Sequence, residues 1–332
     1  MENGLITVAT TQTGHGKIGM PVLRLPAEKQ VQDLAVTSNN ELLLVAVYDT
    51  TLRRGQLAVI MVEGKGLPFH TFTQMGLPNQ ASVSAFKLLC YVDLPVEQTL
   101  RVAAAGNGHW GGPSATGGKT LGKMDLSQAP TLKNLSSGPW SSTIANAGYA
   151  VVISRDENKF AVVDLSPVFR YIRESWLSSQ ESFQATNAAR GEEPGQWPNT
   201  FTERTEISPK VVLTKLIERP VSVICGHHVD RWSSDVFKFH IGLEKGALSI
   251  WDASSLMARE RYHKKSASIE ELGRVFVGEN PISLAFSRRS EGRGTALLRG
   301  AKPAATARIT CSGWRAGRPA RSSRYCRWAA RA

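Results

Sequence analysis

Short apolar runs rich in Val and Ile, each bounded by turn residues, recur along most of this chain and restrict it to strands. Residues 31–62, VQDLAVTSNNELLLVAVYDTTLRRGQLAVIMV, hold three of them: LAV, LLLVAV and LAVIMV. They are parted by Ser38-Asn39-Asn40 and by Arg54-Gly55. Such residues tolerate turn backbone and bond their own main chain there. Runs this short and this rich in β-branched residues suit strands better than helices.

A similar unit returns further on. GQLAVIMV, KTLGKMDL, KFAVVDLS and ALSIWDAS superpose with Met61, Asp125, Asp164 and Asp252 at one position, at separations of 64, 39 and 88 residues. With a unit of roughly 40–45 residues, 39 is one unit, 88 is two, and 64 is one unit carrying a long loop. A strand–polar turn–strand feature appears in LAVTSNNELLLVA and AVVISRDENKFAVVD, and its opening half in PISLAFSRR. The expectation is an all-β chain, a β-propeller of four-stranded blades, with at least four blades between residues 31 and 287. Units at this period need neighbours because one sheet cannot bury both of its faces. An ordinary β-sandwich with accidental self-similarity is the competing architecture.

Trp251-Asp252 closes a strand, and Gly226-His227 lies 25 residues upstream. This resembles the Gly-His…Trp-Asp pattern of WD40 repeats, present once. FAVVDLS and ALSIWDAS are similar to runs in the bacterial YVTN, lactonase-like and quinoprotein-like propellers. The resemblance covers residues 31–287 loosely and implies a bladed ring with its binding or catalytic groups in loops. Residues 5–25 supply LITVAT and MPVLRL, and residues 275–287 supply VFVG and PISLAFS. These halves could complete one shared blade and close the ring; the alternative is an incomplete, open fragment.

One segment departs from the pattern. Ser166-Pro167 suits a helix start, and Phe169, Ile172, Trp176, Leu177 and Phe183 follow at near-helical spacing. A single amphipathic helix over 167–184 is expected, packed on the body, followed by a long polar loop to residue 210.

The net charge of +12 is concentrated. From Arg288 onward lie twelve of the 40 basic residues and one of the 28 acids, which leaves 28 basic and 27 acidic residues in the first 287. The expected division is therefore a propeller body at 1–287 and a basic, disordered tail at 288–332. Arginine there recurs at 315, 318, 321, 324 and 327 with Trp314, Tyr325 and Trp328 interleaved. Nucleic acid is a partner only through that segment. Its Arg-, Ala- and Gly-rich composition, almost free of acid, also fits an out-of-frame reading of a GC-rich gene. The four cysteines form no CxxC pair, no apolar run approaches the roughly 18 residues of a membrane span, and no signal peptide is visible. Cytoplasmic residence is the expectation from that N-terminus, periplasmic if it is truncated.

No catalytic motif stands out. GGPSATGGKT at 111–120 mimics a phosphate loop, yet Pro113 occupies the position of its first glycine and a strand-like run follows it. Asp125, Asp164 and Asp252 recur with the repeat, which suits a turn-bonding role rather than catalysis. The candidate binding residues are His15, His109 and Trp110 among glycines, and His228 with Asp230; no metal site or cofactor is expected. Adjacent His227 and His228 would point to opposite faces of a strand, and His240 completes this group. The function expected is non-catalytic binding or scaffolding through loops on one face, with an unknown protein or small molecule. The alternative is a lactonase-like or quinoprotein-like enzyme acting through the loop histidines.

Overall fold

The structure is a computed structural model and describes residues 4–8, 20–37, 41–63, 85–99, 101–108, 128–138, 141, 144–189, 196, 208–226, 238–257, 268–287, 295–299 and 308–310. Its architecture is all-β, built from antiparallel sheets in which sequence neighbours pair. A hairpin of β1 (Leu5–Val8) and β2 (Met20–Arg24) comes first. The first blade follows as β3 (Lys29–Val36), β4 (Leu42–Asp49), β5 (Arg54–Glu63) and β6 (Ala85–Asp93). The second comprises β7 (Arg101–Gly106), β8 (Gly148–Ser154), β9 (Lys159–Asp164) and β10 (Lys210–Leu216). The third comprises β11 (Pro220–Cys225), β12 (Lys238–Leu243), β13 (Ala247–Asp252) and β14 (Glu270–Phe276).

The first strands of successive blades stand side by side. β3 packs beside β7 and β7 beside β11. β11 in turn packs beside β15 (Ser283–Ser287), which opens a three-stranded sheet with β16 (Thr295–Arg299) and β17 (Arg308–Thr310). Each blade thus presents its first strand inward and stacks face to face on the next, an open propeller-like arrangement.

Period-two alternation assigns the cores. In β4, Leu43, Val45 and Val47 face the hairpin with Ile6 and Leu25, while Leu42, Leu44 and Ala46 face the second blade. In β8, Ala150 and Val152 join that core, while Tyr149, Val151 and Ile153 face the third blade. Both faces of a central strand are therefore covered, which explains why LLLVAV reads as a continuous apolar run rather than an alternating one. Each buried Leu, Val or Ile among them contributes roughly 1.5–3 kcal/mol.

The structure corrects the unit count. Among the described residues, three complete blades and the first strand of another lie between residues 29 and 287, not four or more. Met61, Asp164 and Asp252 do share one position, each at or near the end of its blade's third strand. The 88 residues from Asp164 to Asp252 make one blade, not two, because a helical insertion separates β9 from β10. Asp125 lies outside the described residues, in the connection from β7 to β8. The two strand–turn–strand features were also not equivalent: LAVTSNNELLLVA is β3–β4, whereas AVVISRDENKFAVVD is β8–β9. Nor do the described residues form a shared closing blade. β1 and β2 make a sheet of their own on the first blade, β14 edges the third, and β15 heads another. β16 and β17 fall within 288–332, and the rest of that segment lies outside the described residues.

The expected single helix is two. α2 (Ser166–Leu177) and α3 (Gln180–Ala188) are separated at Ser179, whose extended backbone lets its hydroxyl accept from the Ser182 amide at 3.1 Å. A shorter helix, α1 (Ala129–Ser136), lies in the β7–β8 connection. The Arg173 guanidinium of α2 donates to the carbonyls of Ser136 (2.7 Å), Ile144 (3.0 Å) and Ser141 (3.3 Å), which ties α2 to the end of α1. Phe169, Ile172 and Trp176 are fully buried, as their spacing predicts, with Trp176 edge-on to Phe183 at 5.7 Å. Replacing Trp176 by Ala should cost about 3 kcal/mol. Chemical denaturation measures this, and an unchanged midpoint would refute the packing.

Candidate functional site

Strand direction sorts the connections between strands onto two ends of the molecule. Tyr149, opening β8, donates its hydroxyl proton to the carbonyl of Lys238, opening β12, at 3.0 Å. Arg155 in the β8–β9 turn pairs with Glu244 in the β12–β13 turn. Corresponding strands of neighbouring blades therefore run the same way. One end carries the connections 37–41, 64–84, 107–147, 165–209, 226–237 and 253–269; the other carries 50–53, 94–100, 155–158, 217–219, 244–246 and 277–282. All but one of the first set are long, and all of the second are short.

His15, His109, Trp110, His228 and Asp230 lie outside the described residues, as does His227. The strands that flank them are described. His109 and Trp110 follow β7, and His228 and Asp230 follow β11; both of these strands end at the long-connection end. His15 belongs to the hairpin connection after β1. His240, described on β12, sits opposite Ile250 on the face turned away from the second blade.

The short-connection end is laced with ion pairs. Glu244 binds both Arg155 and Arg219, and Glu218 binds Lys245. Glu157 receives the amides of Glu97 (2.6 Å) and Gln98 (3.2 Å), which clips the linker between the first two blades. Burial raises the Glu157 carboxyl, but these amides, Lys159 and Ser154 outweigh that and hold it below its ordinary value. Asn158 (φ 53°) takes the left-handed backbone that Asn tolerates in a tight turn. Its side-chain oxygen accepts from the Arg219 amide at 2.9 Å. Across the first blade, buried Lys29 binds Asp49 and Gln56 and lies 4.4 Å from the centroid of the Tyr91 ring. Its ammonium holds the Asp49 carboxyl below the usual range. The Tyr91 phenol is pushed up to about 12 by burial and by nearby Glu28 and Asp49.

The long-connection end has a different base. Glu41, fully buried, accepts from the Thr37 hydroxyl at 2.9 Å and from the Ala145 amide at 3.1 Å. Asn107, also fully buried, accepts from the amides of Asn146 (2.9 Å) and Ala147 (3.2 Å). Its amide nitrogen donates to the Asn146 side-chain oxygen at 2.6 Å. Neither Glu41 nor Asn107 stands out in the sequence. The one signal is an acid placed directly before the apolar run LLLVAV, where a solvated turn residue is the ordinary reading.

The aspartates that recur with the repeat bond their turns. Asp164 accepts from the Ser166 amide at 2.9 Å and Asp252 from the Ser254 amide at 2.7 Å. Trp251 of the Trp-Asp pair is buried against the second blade. Its ring stacks on Phe239 at 5.8 Å and meets Phe160 edge-on at 4.9 Å. Its indole N–H donates to Ser249 at 2.7 Å, and the Ser249 hydroxyl donates to Glu271 at 2.7 Å.

No family model matches the chain, and no curated protein matches its sequence. Among solved structures it is similar to Sqt1 of Saccharomyces cerevisiae, with a TM-score of 0.40 and 9% identity, over 94% of this chain and 49% of that one. It is also similar to hydrazine synthase of Kuenenia stuttgartiensis, with a TM-score of 0.37 and 8% identity, over 84% of this chain and 45% of that one. The chain thus spans about half the length of either structure. The blade architecture itself stands on the strand order and on the contacts between successive first strands.

His240 supplies a pH dependence. Its side chain is half-buried, but Nδ1 is enclosed, and burial, helped by Lys238, lowers its pKa to about 4. The unfolded chain therefore binds a proton near the ordinary histidine value of 6.5 that the folded chain refuses until about 4. This contribution to stability is complete above 6.5 and is lost as pH falls through that window. Between pH 7 and pH 5 the loss should be about 2 kcal/mol, and His240→Gln should abolish it. Denaturation midpoints of both proteins at the two pH values check this; equal slopes with pH would contradict it.

Proposed function

We propose that this protein is a non-catalytic binding scaffold that recognises its partner at the long-connection end of the blades. The observation that carries the reading is the asymmetry of the two ends. A chain selected only to build blades needs three to seven residues between strands, as on the short-connection end. Extending the opposite connections leaves the sheets unchanged and adds surface, because lengthening a loop costs little closure entropy. Recognition residues concentrate on such loops when a rigid scaffold holds them.

The side chains that suit recognition fall into the same set. His109, Trp110, His228 and Asp230 offer an aromatic face, donors and an acceptor, a mixture suited to a peptide or protein surface. The WD40-like and YVTN-like character of the sequence is compatible with such a role, which the body at 1–287 would carry. Fold alone does not set function, so the assignment rests on the ends and not on the blades.

A photo-reactive phenylalanine analogue installed at position 110 or 228 should cross-link one discrete partner in the producing cell. The same group at Arg53 or Asp156, in exposed turns of the opposite end, should give none. Cross-linking from both ends alike, or only from the second pair, would overturn the reading.

A further inference from the structure

We infer that Glu41 is the positioning residue of the long-connection end, fixing where the 107–147 connection leaves the second blade and where it returns. This rests on the reading of that end as the recognition surface. The carboxylate lies between the first and second blades at 0% exposure. One oxygen accepts from the amide of Ala145, at the returning end of the connection, and the other accepts from the hydroxyl of Thr37, in the first blade. Thr37 is itself held, because its hydroxyl oxygen accepts the amides of Glu41 (3.2 Å) and Leu42 (3.1 Å). At the departing end, Gly108 lies directly against the same carboxylate oxygen, where any Cβ would collide with it and approach the Ala145 nitrogen to 3.0 Å. Asn107 then clips the two ends to each other through Asn146 and Ala147.

Burying a carboxylate is a costly way to join two sheets that already meet through Leu42, Leu44, Val102 and Ala104. It supplies something those side chains lack: directed acceptors that set the path of a chain segment. His109 and Trp110 follow Gly108 immediately, so the geometry of this clip governs where they start. Glutamine has the same length but offers an N–H₂ on one side. The Thr37 hydroxyl oxygen, already accepting two amides, is a poor acceptor for it, and the Ala145 bond is lost if the side chain turns over.

The test is amide hydrogen exchange on the full chain, comparing the native protein with Glu41→Gln and Gly108→Ala. Both variants should lose protection at least tenfold at residues 106–108 and 144–148, while β11, β12 and β13 keep theirs. Combining the two changes should add little to either alone, since both displace one carboxylate. Protection lost evenly over all blades would reduce Glu41 to a general stability residue, and unchanged exchange at 144–148 would remove it altogether; either overturns the inference. If Glu41→Gln does not fold, Gly108→Ala alone carries the same comparison. Exchange needs no partner, so a failure of cross-linking from position 110 leaves this result standing and tells against the binding reading only.

Discussion

Everything in this structure depends on the contact of one sheet face with the next. A four-stranded sheet whose central strands are apolar on both sides cannot stand alone in water, and here each blade is covered by its neighbours. The junction of the second and third blades shows how specific this becomes. Phe160 from one sheet meets Phe239 and Trp251 from the other, at 5.8 and 4.9 Å between ring centroids. Tyr149 closes the same layer 6.1 Å from Phe239, with its hydroxyl bonded across the junction. Such aromatic pairs add to the burial term because their rings meet tilted or offset. Lys215, from the outer edge of the second blade, adds its charge over the Trp251 ring at 5.0 Å.

This dependence also explains what was legible in the sequence. Strands are local, so LLLVAV, KFAVVD and ALSIWD disclose themselves through β-branched content and flanking turns. The third strands even align on Met61, Asp164 and Asp252. The count of blades did not disclose itself, because a blade is defined by which strands pair. Residues 107–147 and 165–209 inflate the second blade far beyond one repeat length; Ser166-Pro167 and the apolar spacing after it disclose a helical segment, but nothing local says that β9 and β10 on either side of it belong to one sheet. The division of the expected helix at Ser179 was readable in principle, since Ser178-Ser179 interrupts the apolar spacing and serine caps helices well.

The candidate site is a different matter. Histidines and glycines between apolar runs mark His109, Trp110, His228 and Asp230 as connection residues, and of these connections the structure describes the flanking strands, β7 and β11. Glu41 was invisible for a physical reason. An acid beside a polar turn looks solvated, and only the stacking of the second blade, with the amide of Ala145, turns it into a buried acceptor. The two ends also differ in kind. Ion pairs such as Arg155–Glu244 bridge the short turns, whereas the 107–147 connection starts from a buried polar clip.

The central claim is that consecutive sheets stack face to face in chain order around their first strands, and the Phe160–Phe239–Trp251 layer is its most direct signature. Nuclear Overhauser contacts among aromatic rings, measured on protein labelled at Phe and Trp, test it without reference to function. Cross-peaks from the Trp251 indole to both Phe239 and Phe160 are the predicted result. A Trp251 that contacts Phe239, its partner on the adjacent strand, but not Phe160 would contradict the stacking of the second blade on the third.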